Sequence, residues 1–278
     1  MASWRDMHVL VTGGSSGIGL AVAERAARRG AHVTIVARDS MRLEAARESV
    51  SAAREGSGQR VLAYSADVAS WSAVSDAVRD AQAASGPVDV LVTSAGYCHP
   101  ARFTEMSAEE LEGQIGVNLL GTVYAARAVA PSMIERGRGH IAMLSSMGGI
   151  VGVYGYSGYS PAKFGVIGLA EVLRCELKPH GIGVSVVCPP NVNTPGYARE
   201  VAIEPPETAR INGSAKAMEP DAVARLVINA IDRRRFMVLP GVWYGALRRL
   251  KGLAPEVFFA IFDRDVAAVR KAVDADAV

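Results

Sequence analysis

Short stretches of β-type sequence alternate with longer, Ala-rich stretches of helical type along most of this chain. The helical stretches include residues 18–30 and 107–137. A strand, a helix and a further strand at this spacing predict parallel strands with helices on both faces of the sheet. The sequence therefore predicts an α/β fold with three layers and a doubly wound, mostly parallel sheet. The β-type stretches are HVLVTG (8–13), HVTIVAR (32–38), RVLAYSADV (60–68), VDVLVTSAG (88–96), GHIAMLSS (139–146) and GVSVVCPP (183–190).

The same alternation favours one domain over residues 1–232, with residues 191–218 as a lid over the substrate. Residues 233–255 have a different composition, with six basic residues, no acidic residue, and Trp243 and Tyr244 among them. They do not continue the strand–helix alternation. Basic residues interleaved with aromatic ones suit a membrane interface. We expect residues 233–278 to form a C-terminal helical tail that packs on the domain, on a partner subunit or on a membrane surface.

Composition argues against several classes of protein. A net charge of +2 is too small for a nucleic-acid-binding surface. The five histidines lie far apart and the three cysteines form no C-x-x-C motif, so no metal site is expected. We expect the cysteines to be buried free thiols in a reducing compartment. Since no signal peptide and no apolar run of about 18 residues is present, the sequence predicts a cytoplasmic protein without a spanning helix.

The stretch VLVTGGSSGIG (9–19) leads from a strand through a glycine-rich turn into a helix. Glycines let the backbone approach a pyrophosphate, and the first turn of the helix offers free N–H groups. The motif predicts a dinucleotide site of the Rossmann type, although a plain glycine-rich turn has the same pattern. The candidate residues in this loop are Gly13, Ser15, Ser16, Gly17, Ile18 and Gly19.

The end of the second strand carries Ala37 and Arg38 where NAD-binding folds usually place an acid. An arginine can bind the 2′-phosphate of NADP through two parallel hydrogen bonds. The sequence therefore favours NADP(H) over NAD(H), unless Arg38 only pairs with a surface acid such as Asp39. Asp67 and Val68, after the third strand, are candidates to contact adenine; the alternative is that Asp67 only turns the chain there.

The stretch YSGYSPAK (156–163) places Tyr159 and Lys163 four residues apart, on one face of a helix. Pro161 requires the helix to begin nearby, with Ser157 or Ser160 as its N-cap. An ammonium about 4 Å from a phenol contributes roughly 4 kcal/mol, or about 3 pKa units, which would bring the tyrosine pKa near 7. The pattern predicts an acid–base tyrosine, although an exposed lysine beside a core tyrosine has the same spacing.

Three further positions surround this pair. Ser146 ends a strand and can donate a hydrogen bond to a carbonyl oxygen. Asn118 lies in an apolar helical setting, VNLLG, where a buried amide needs partners such as an ordered water near Lys163. Tyr156 has no lysine at the same spacing and is expected to pack or to contact substrate.

These motifs together resemble the short-chain dehydrogenase/reductase family over about residues 6–232. The resemblance implies that Tyr159 is the acid–base, Ser146 orients the carbonyl, Lys163 holds the nicotinamide ribose and Asn118 anchors a water. It also implies homo-oligomers, either dimers or tetramers. Two departures stand out: Thr93-Ser94-Ala95-Gly96 replaces NNAG, and Pro189-Pro190 replaces Pro-Gly. The remaining cofactor contacts that it implies are Ala95, Gly96, Pro189, Val192 and Thr194.

Residues 188–231, with VARDS and GPVDVLV, resemble the 3-ketodihydrosphingosine reductases within that family. The resemblance implies reduction of a long-chain, apolar keto substrate with NADPH. Reductases or dehydrogenases of steroid-like, retinoid-like or fatty-acyl carbonyls are the alternative. A catalytically silent nucleotide-binding sensor is a more remote one. The pocket depends on residues 97–104, 147–156 and 191–218, so the sequence does not fix the substrate.

Overall fold

A seven-stranded parallel sheet forms the centre of the protein in the computed structural model, which describes residues 4–213 and 216–276. The strand order is β3-β2-β1-β4-β5-β6-β7. The chain reverses the direction of its winding between β1 and β4, as in doubly wound sheets. The predicted fold class is confirmed. The strands are β1 (His8–Thr12), β2 (His32–Ala37), β3 (Val61–Ser65), β4 (Val90–Thr93), β5 (Gly139–Leu144), β6 (Ile182–Val187) and β7 (Met237–Val238).

The seventh strand lies beyond residue 232, in the stretch that was expected to break the alternation. Val186 and Val187 of β6 pair in parallel with Met237 and Val238 of β7. That expectation is wrong for these two residues, because the sheet continues through them. A strand of two residues is too short to show a period of two in the sequence.

Helices cover both faces of the sheet and produce two separate apolar cores. One core joins the sheet to α1, α2 and α9, and the other joins it to α3, α5 and α6. Strands buried on both sides explain the nearly continuous apolar β-type runs. The helices are α1 (Gly17–Ala27), α2 (Ser40–Ala52), α3 (Trp71–Ser85), α4 (Ala108–Ile115), α5 (Gly121–Arg136), α6 (Tyr159–Leu177), α7 (Pro195–Val201), α8 (Pro206–Asn212), α9 (Pro220–Asp232), α10 (Gly241–Leu253) and α11 (Pro255–Asp276).

A π-helical turn, Gly116–Leu120, joins α4 to α5. The predicted helical stretch 107–137 is therefore present, with Ser107 as its capping residue and Gly137 ending it at φ 65°. Widened turns of this kind expose backbone groups and often occur at functional sites. Here the turn contains Asn118.

The tail is helical and packs on the domain. Lys251 of α10 donates from Nζ to the carbonyl oxygen of Ile150 at 2.6 Å, and Phe258 of α11 is buried. The opposite side of α10 is open, with Val242 92% and Trp243 69% exposed. Packing on the domain is thus one of the three predicted roles of the tail. Among the described helices, none combines the length and hydrophobicity needed to cross a bilayer.

The cysteines differ in part from expectation. All three are free thiols, and Cys98 and Cys188 are buried, but Cys175 is exposed on α6. Cys175 lies on the exposed side of α6, and the sequence around it does not show that the cysteine faces outward. In the described part of the chain, no group of three or more potential ligands forms a metal site.

Candidate active site

A cleft with an internal volume of about 350 Å³ lies at the carboxyl ends of the strands, next to the switch between β1 and β4. Ligands of doubly wound sheets bind at this position. The glycine loop lines one end of the cleft, and Tyr159 and Lys163 line another part of it. The predicted site residues that line the cleft are Gly13, Ser15, Ser16, Gly17, Ile18, Arg38, Val68, Ala95, Gly96, Asn118, Ser146, Tyr159, Lys163, Pro189, Val192 and Thr194.

Two positions of the glycine loop have no room for a side chain, because other residues of the cleft lie close to the backbone there. Gly13 has φ +70°, and a Cβ there would lie 2.5 Å from the backbone nitrogen of Ala95. Gly17 has φ +54°, and its Cβ would lie 2.9 Å from Cγ2 of Thr194. Ser16 precedes α1 in extended conformation without a side-chain cap bond, so the first N–H groups of α1 stay available to an anion. These features fit the pyrophosphate of a dinucleotide.

Two predicted residues do not line the cleft. Gly19 packs against the backbone of Gly13, and therefore supports the loop from behind. Asp67 accepts a hydrogen bond from the backbone nitrogen of Ala69 at 3.0 Å, which is the turn-forming alternative for this residue. An adenine contact by Asp67 stays a prediction.

Arg38 extends from the end of β2 into the cleft, as the NADP(H) prediction requires. Its acidic partner is Asp67 at 3.7 Å, whereas Asp39 caps α2 and pairs with Arg42 at 3.2 Å. The Arg38–Asp67 pair is solvent-exposed and hence weak, so the guanidinium can turn to a phosphate. Arg42 lines the same end of the cleft and is a second cation that the sequence analysis missed.

Tyr159 and Lys163 project from the first turns of α6 into the cleft. Lys163 Nζ lies 5.5 Å from the centroid of the Tyr159 ring and donates to the carbonyl oxygen of Leu144 at 3.1 Å. The lysine is 5% exposed, so it is not the surface lysine of the alternative interpretation. The predicted shared face is confirmed.

The acid–base properties of this pair differ from expectation. Burial raises the pKa of Tyr159 above its ordinary value, and the charge of Glu200 raises it further, while Ser146 acts in the opposite direction. Burial also lowers the pKa of Lys163 to about 8. The expected tyrosine pKa near 7 is therefore wrong for the chain alone, because burial disfavours the charged phenolate.

Ser146 lies beside Tyr159 at the end of β5. A Cβ on Gly148 would be 3.3 Å from Cε1 of Tyr159 and 3.5 Å from Oγ of Ser146. Both side chains therefore lie next to Gly148. Ser146 Oγ accepts from the backbone nitrogen of Gly148 at 3.0 Å. This bond leaves the hydroxyl hydrogen available for a carbonyl oxygen in the cleft.

Asn118 is fully buried in the π-helical turn. Its Nδ2 donates to the carbonyl oxygens of Tyr97 and Gln114, both at 2.8 Å. Its Oδ1 is buried without a hydrogen-bond partner among the described residues. A Cβ on Gly96 would lie 2.5 Å from this Oδ1 and 3.3 Å from Lys163 Nζ. The amide oxygen and the ammonium therefore face one small space beside Gly96.

The N-cap of α6 differs from the two predicted serines. Gly158 occupies the cap without a side-chain bond, and Ser160 Oγ instead accepts from the backbone nitrogen of Val153 at 3.4 Å. Ser160 thus holds the loop that precedes the helix, through a bond to a residue seven positions earlier. Tyr156 packs edge-on against Tyr159, with ring centroids 5.5 Å apart, in agreement with its predicted packing role.

Two residues of the stretch predicted as a lid are tied to the loop before α6. Thr208 Oγ1 donates to the carbonyl oxygen of Tyr154 at 2.8 Å, and Asn212 Nδ2 donates to the hydroxyl of Tyr156 at 2.9 Å. Thr194 caps α7 by accepting from the backbone nitrogen of Tyr197 at 3.1 Å. These bonds bring Tyr197 and Glu200 of α7 to the cleft, two lining residues that the sequence analysis missed.

Comparisons with known proteins identify the family of the chain. A family model described as short chain dehydrogenase matches residues 7–203. A 3-dehydrosphinganine reductase of Danio rerio is 42% identical over 222 residues, which are 80% of this chain and 67% of that protein. A 3-ketodihydrosphingosine reductase of Bos taurus is 39% identical over the same shares of the two chains.

Two solved structures share the fold. A short-chain dehydrogenase from Sphingobium yanoikuyae in complex with NADPH has a TM-score of 0.76 and 30% identity, covering 91% of this chain and 95% of that one. A short-chain dehydrogenase/reductase from Burkholderia phymatum in complex with NAD has a TM-score of 0.81 and 25% identity, covering 92% and 96%. This chain belongs to the short-chain dehydrogenase family and is an NAD(P)-dependent oxidoreductase of the class that acts on ketones and alcohols.

Proposed function

We propose that this enzyme reduces a long-chain keto substrate of the 3-ketodihydrosphingosine type to the secondary alcohol, with NADPH as the cofactor. The observation that carries the proposal is one cleft lined by Tyr159, Lys163 and Ser146 together with the glycine loop. The names of the two relatives support the choice of substrate.

A bound NADPH would supply the hydride for the carbonyl carbon. Tyr159 donates a proton to the carbonyl oxygen, and Ser146 donates a hydrogen bond to the same oxygen. Because burial raises the pKa of Tyr159, the phenol is protonated at neutral pH, which is the form that reduction requires. Lys163 stays close enough to the ring to stabilise the phenolate that the transfer leaves.

A proton must then return to Tyr159. Asn118 Oδ1 and Lys163 Nζ face the same space beside Gly96, and a water held by both would connect the lysine to solvent. Asn118 acts in this scheme as the acceptor that holds the water. Its two bonds to the Tyr97 and Gln114 carbonyl oxygens fix the orientation of the amide.

The preference for NADPH rests on Arg38. This side chain lines the cleft at the end of β2, and its exposed pair with Asp67 is weak enough to be exchanged for a 2′-phosphate. Arg42 lies at the same end and adds positive potential there.

We further propose that α10 rests on a membrane surface near the lipid-like substrate. Val242, Trp243 and Leu253 are 92%, 69% and 86% exposed, and residues 233–255 carry no acid to oppose anionic lipid. The test is sedimentation with vesicles of neutral and anionic phospholipid. A Val242→Ser/Trp243→Ser variant should lose binding, and Met41→Ser, an equally exposed change on α2, should keep it.

The alternative role of this apolar face is contact with a second copy of the chain in a dimer or tetramer. Light scattering on the same variants separates the two roles. A change in mass for Val242→Ser/Trp243→Ser without a change in vesicle binding would assign the face to oligomer contact.

The substrate proposal is tested by NADPH oxidation in detergent with 3-ketodihydrosphingosine, beside steroid, retinal, fatty-acyl and short-chain carbonyls and an NADH control. We expect turnover of the long-chain keto base with NADPH. Turnover of a different carbonyl class alone would replace the substrate. An absence of any turnover, with NADPH still bound, would favour a nucleotide-binding sensor.

A further inference from the structure

Glu200 is an acid inside the catalytic cleft. It lies near the end of α7 and lines the cleft together with Tyr159 and Lys163. Its side chain forms neither a hydrogen bond nor an ion pair in the part of the chain that the structure describes. The reaction mechanism given above does not use this carboxylate.

The charge of Glu200 acts on the groups around the catalytic hydroxyl. After the larger effect of burial, it raises the pKa of Tyr159 and contributes to the raised pKa of Cys98 and Tyr156. It also raises the pKa of Lys163. Glu200 lines the same cleft as Tyr156 and Tyr159, so its charge faces the space in which the carbonyl would be reduced.

The other acids of this region have partners. Asp39 lines the opposite end of the cleft, where it caps α2 and pairs with Arg42. Glu204 accepts a hydrogen bond from Asn212 Nδ2 at 3.0 Å and does not line the cleft. Burial and the charge of Glu204 raise the pKa of Glu200 to about 7, while Lys163 and Arg199 act in the opposite direction. A cation bound next to Glu200 would favour its charged form. Within the described lining, Glu200 is the acid without a partner.

The substrate class offers such a cation. In 3-ketodihydrosphingosine, the carbon next to the carbonyl carries an amino group, which is an ammonium when protonated. When Tyr159 and Ser146 bind the carbonyl oxygen, this ammonium lies only two bonds from the reacting carbon. A steroid or a simple fatty ketone has no charge at that position.

We propose that Glu200 is the specificity-determining residue of this cleft and binds the ammonium of an α-amino ketone beside the reacting carbonyl. The proposal rests on the proposed function. It makes the enzyme selective for an amino ketone over a long-chain ketone of the same length without the amine.

The test compares 3-ketodihydrosphingosine with 1-hydroxyoctadecan-3-one, which lacks the amine, at pH 7.5 in the same detergent. The kcat/KM of each is measured for the wild type and for Glu200→Gln. Glu204→Gln serves as the matched control, since it removes a nearby charge that does not line the cleft. NADPH affinity and thermal unfolding are recorded for all three proteins to verify the fold.

We expect the wild type to prefer the amino ketone and Glu200→Gln to lose about 10- to 100-fold on that substrate alone, the range for a hydrogen bond to a charged group. Glu204→Gln should keep the preference. If Glu200→Gln leaves the ratio of kcat/KM for the two substrates unchanged, the proposed role of Glu200 is overturned while the proposed function stands. If the wild type reduces neither substrate, the proposed function itself fails.

Discussion

Lys163 Nζ lies 5.5 Å from the centroid of the Tyr159 ring and is held there by its bond to the carbonyl oxygen of Leu144. Both residues come from the first turns of α6, while Leu144 comes from β5. The lysine is therefore positioned by the sheet as well as by its own helix. In the proposed mechanism, this arrangement lets the tyrosine donate the proton and lets the lysine stabilise the phenolate.

Replacing Tyr159 with Phe removes the proton donor but keeps the ring that packs against Tyr156. We expect turnover to fall by about 10²- to 10⁴-fold, the range for a general acid. NADPH affinity, measured by fluorescence titration, should stay within about twofold. A Tyr159→Phe enzyme that keeps full turnover would rule out this residue as the acid.

The pH dependence of NADPH binding reports on Lys163. Burial lowers its pKa to about 8, so the side chain is charged below that pH and neutral above it. Cys188, Cys98 and Glu200 act in the opposite direction and raise this pKa. Since the proposed contact with the nicotinamide ribose uses the charged form, we expect the Kd for NADPH to rise as the pH increases through about 8.

The Lys163→Arg variant is the control for this titration, because a guanidinium keeps its charge over the whole range. Its Kd should stay flat between pH 7 and 9.5, even if its value at neutral pH is poorer. The same rise in both proteins would assign the effect to another group.

The site requires a glycine at position 96. A Cβ there would lie 2.5 Å from Asn118 Oδ1, so Gly96→Ala should displace the amide and reduce kcat by about 10-fold or more. Gly168→Ala is the matched control on α6, where no atom lies within 4 Å of the new Cβ. Gly168→Ala should keep kcat and gain up to about 1 kcal/mol in stability. Steady-state kinetics and urea unfolding measure both effects.

Arg38 sets the cofactor preference in this account. Arg38→Ala should raise the Kd for NADPH by about 10-fold and leave the Kd for NADH nearly unchanged, because only NADPH has the 2′-phosphate. Arg42→Ala tests the neighbouring cation in the same titration. An equal loss of affinity for NADPH and NADH would show that Arg38 does not bind the 2′-phosphate.

Much of this architecture was predictable because it depends on local sequence. The strand–helix alternation predicts the parallel sheet, and T-G-x-x-x-G-x-G and Y-x-x-x-K place the loop and the catalytic pair. Met237 and Val238 were missed because a two-residue strand is defined by its neighbour in the sheet and has no pattern of its own.

The features of the site that the sequence did not predict were missed for a different reason. Glu200 and Arg42 reach the cleft only through the packing of α7 and α2. The raised pKa of Tyr159 depends on how completely the fold excludes water, which the spacing of two residues cannot give. The carboxylate that we assign to substrate recognition therefore became visible only in the folded chain.

The most direct test of the central claim is deuteride transfer. NADPH carrying deuterium at the transferable C4 position is incubated with 3-ketodihydrosphingosine, and the product is analysed by mass spectrometry. We expect sphinganine with one deuterium at C3 from the wild type, and at least about 100-fold less from Tyr159→Phe. Unlabelled product, no product from the wild type, or equal labelling by Tyr159→Phe would contradict it.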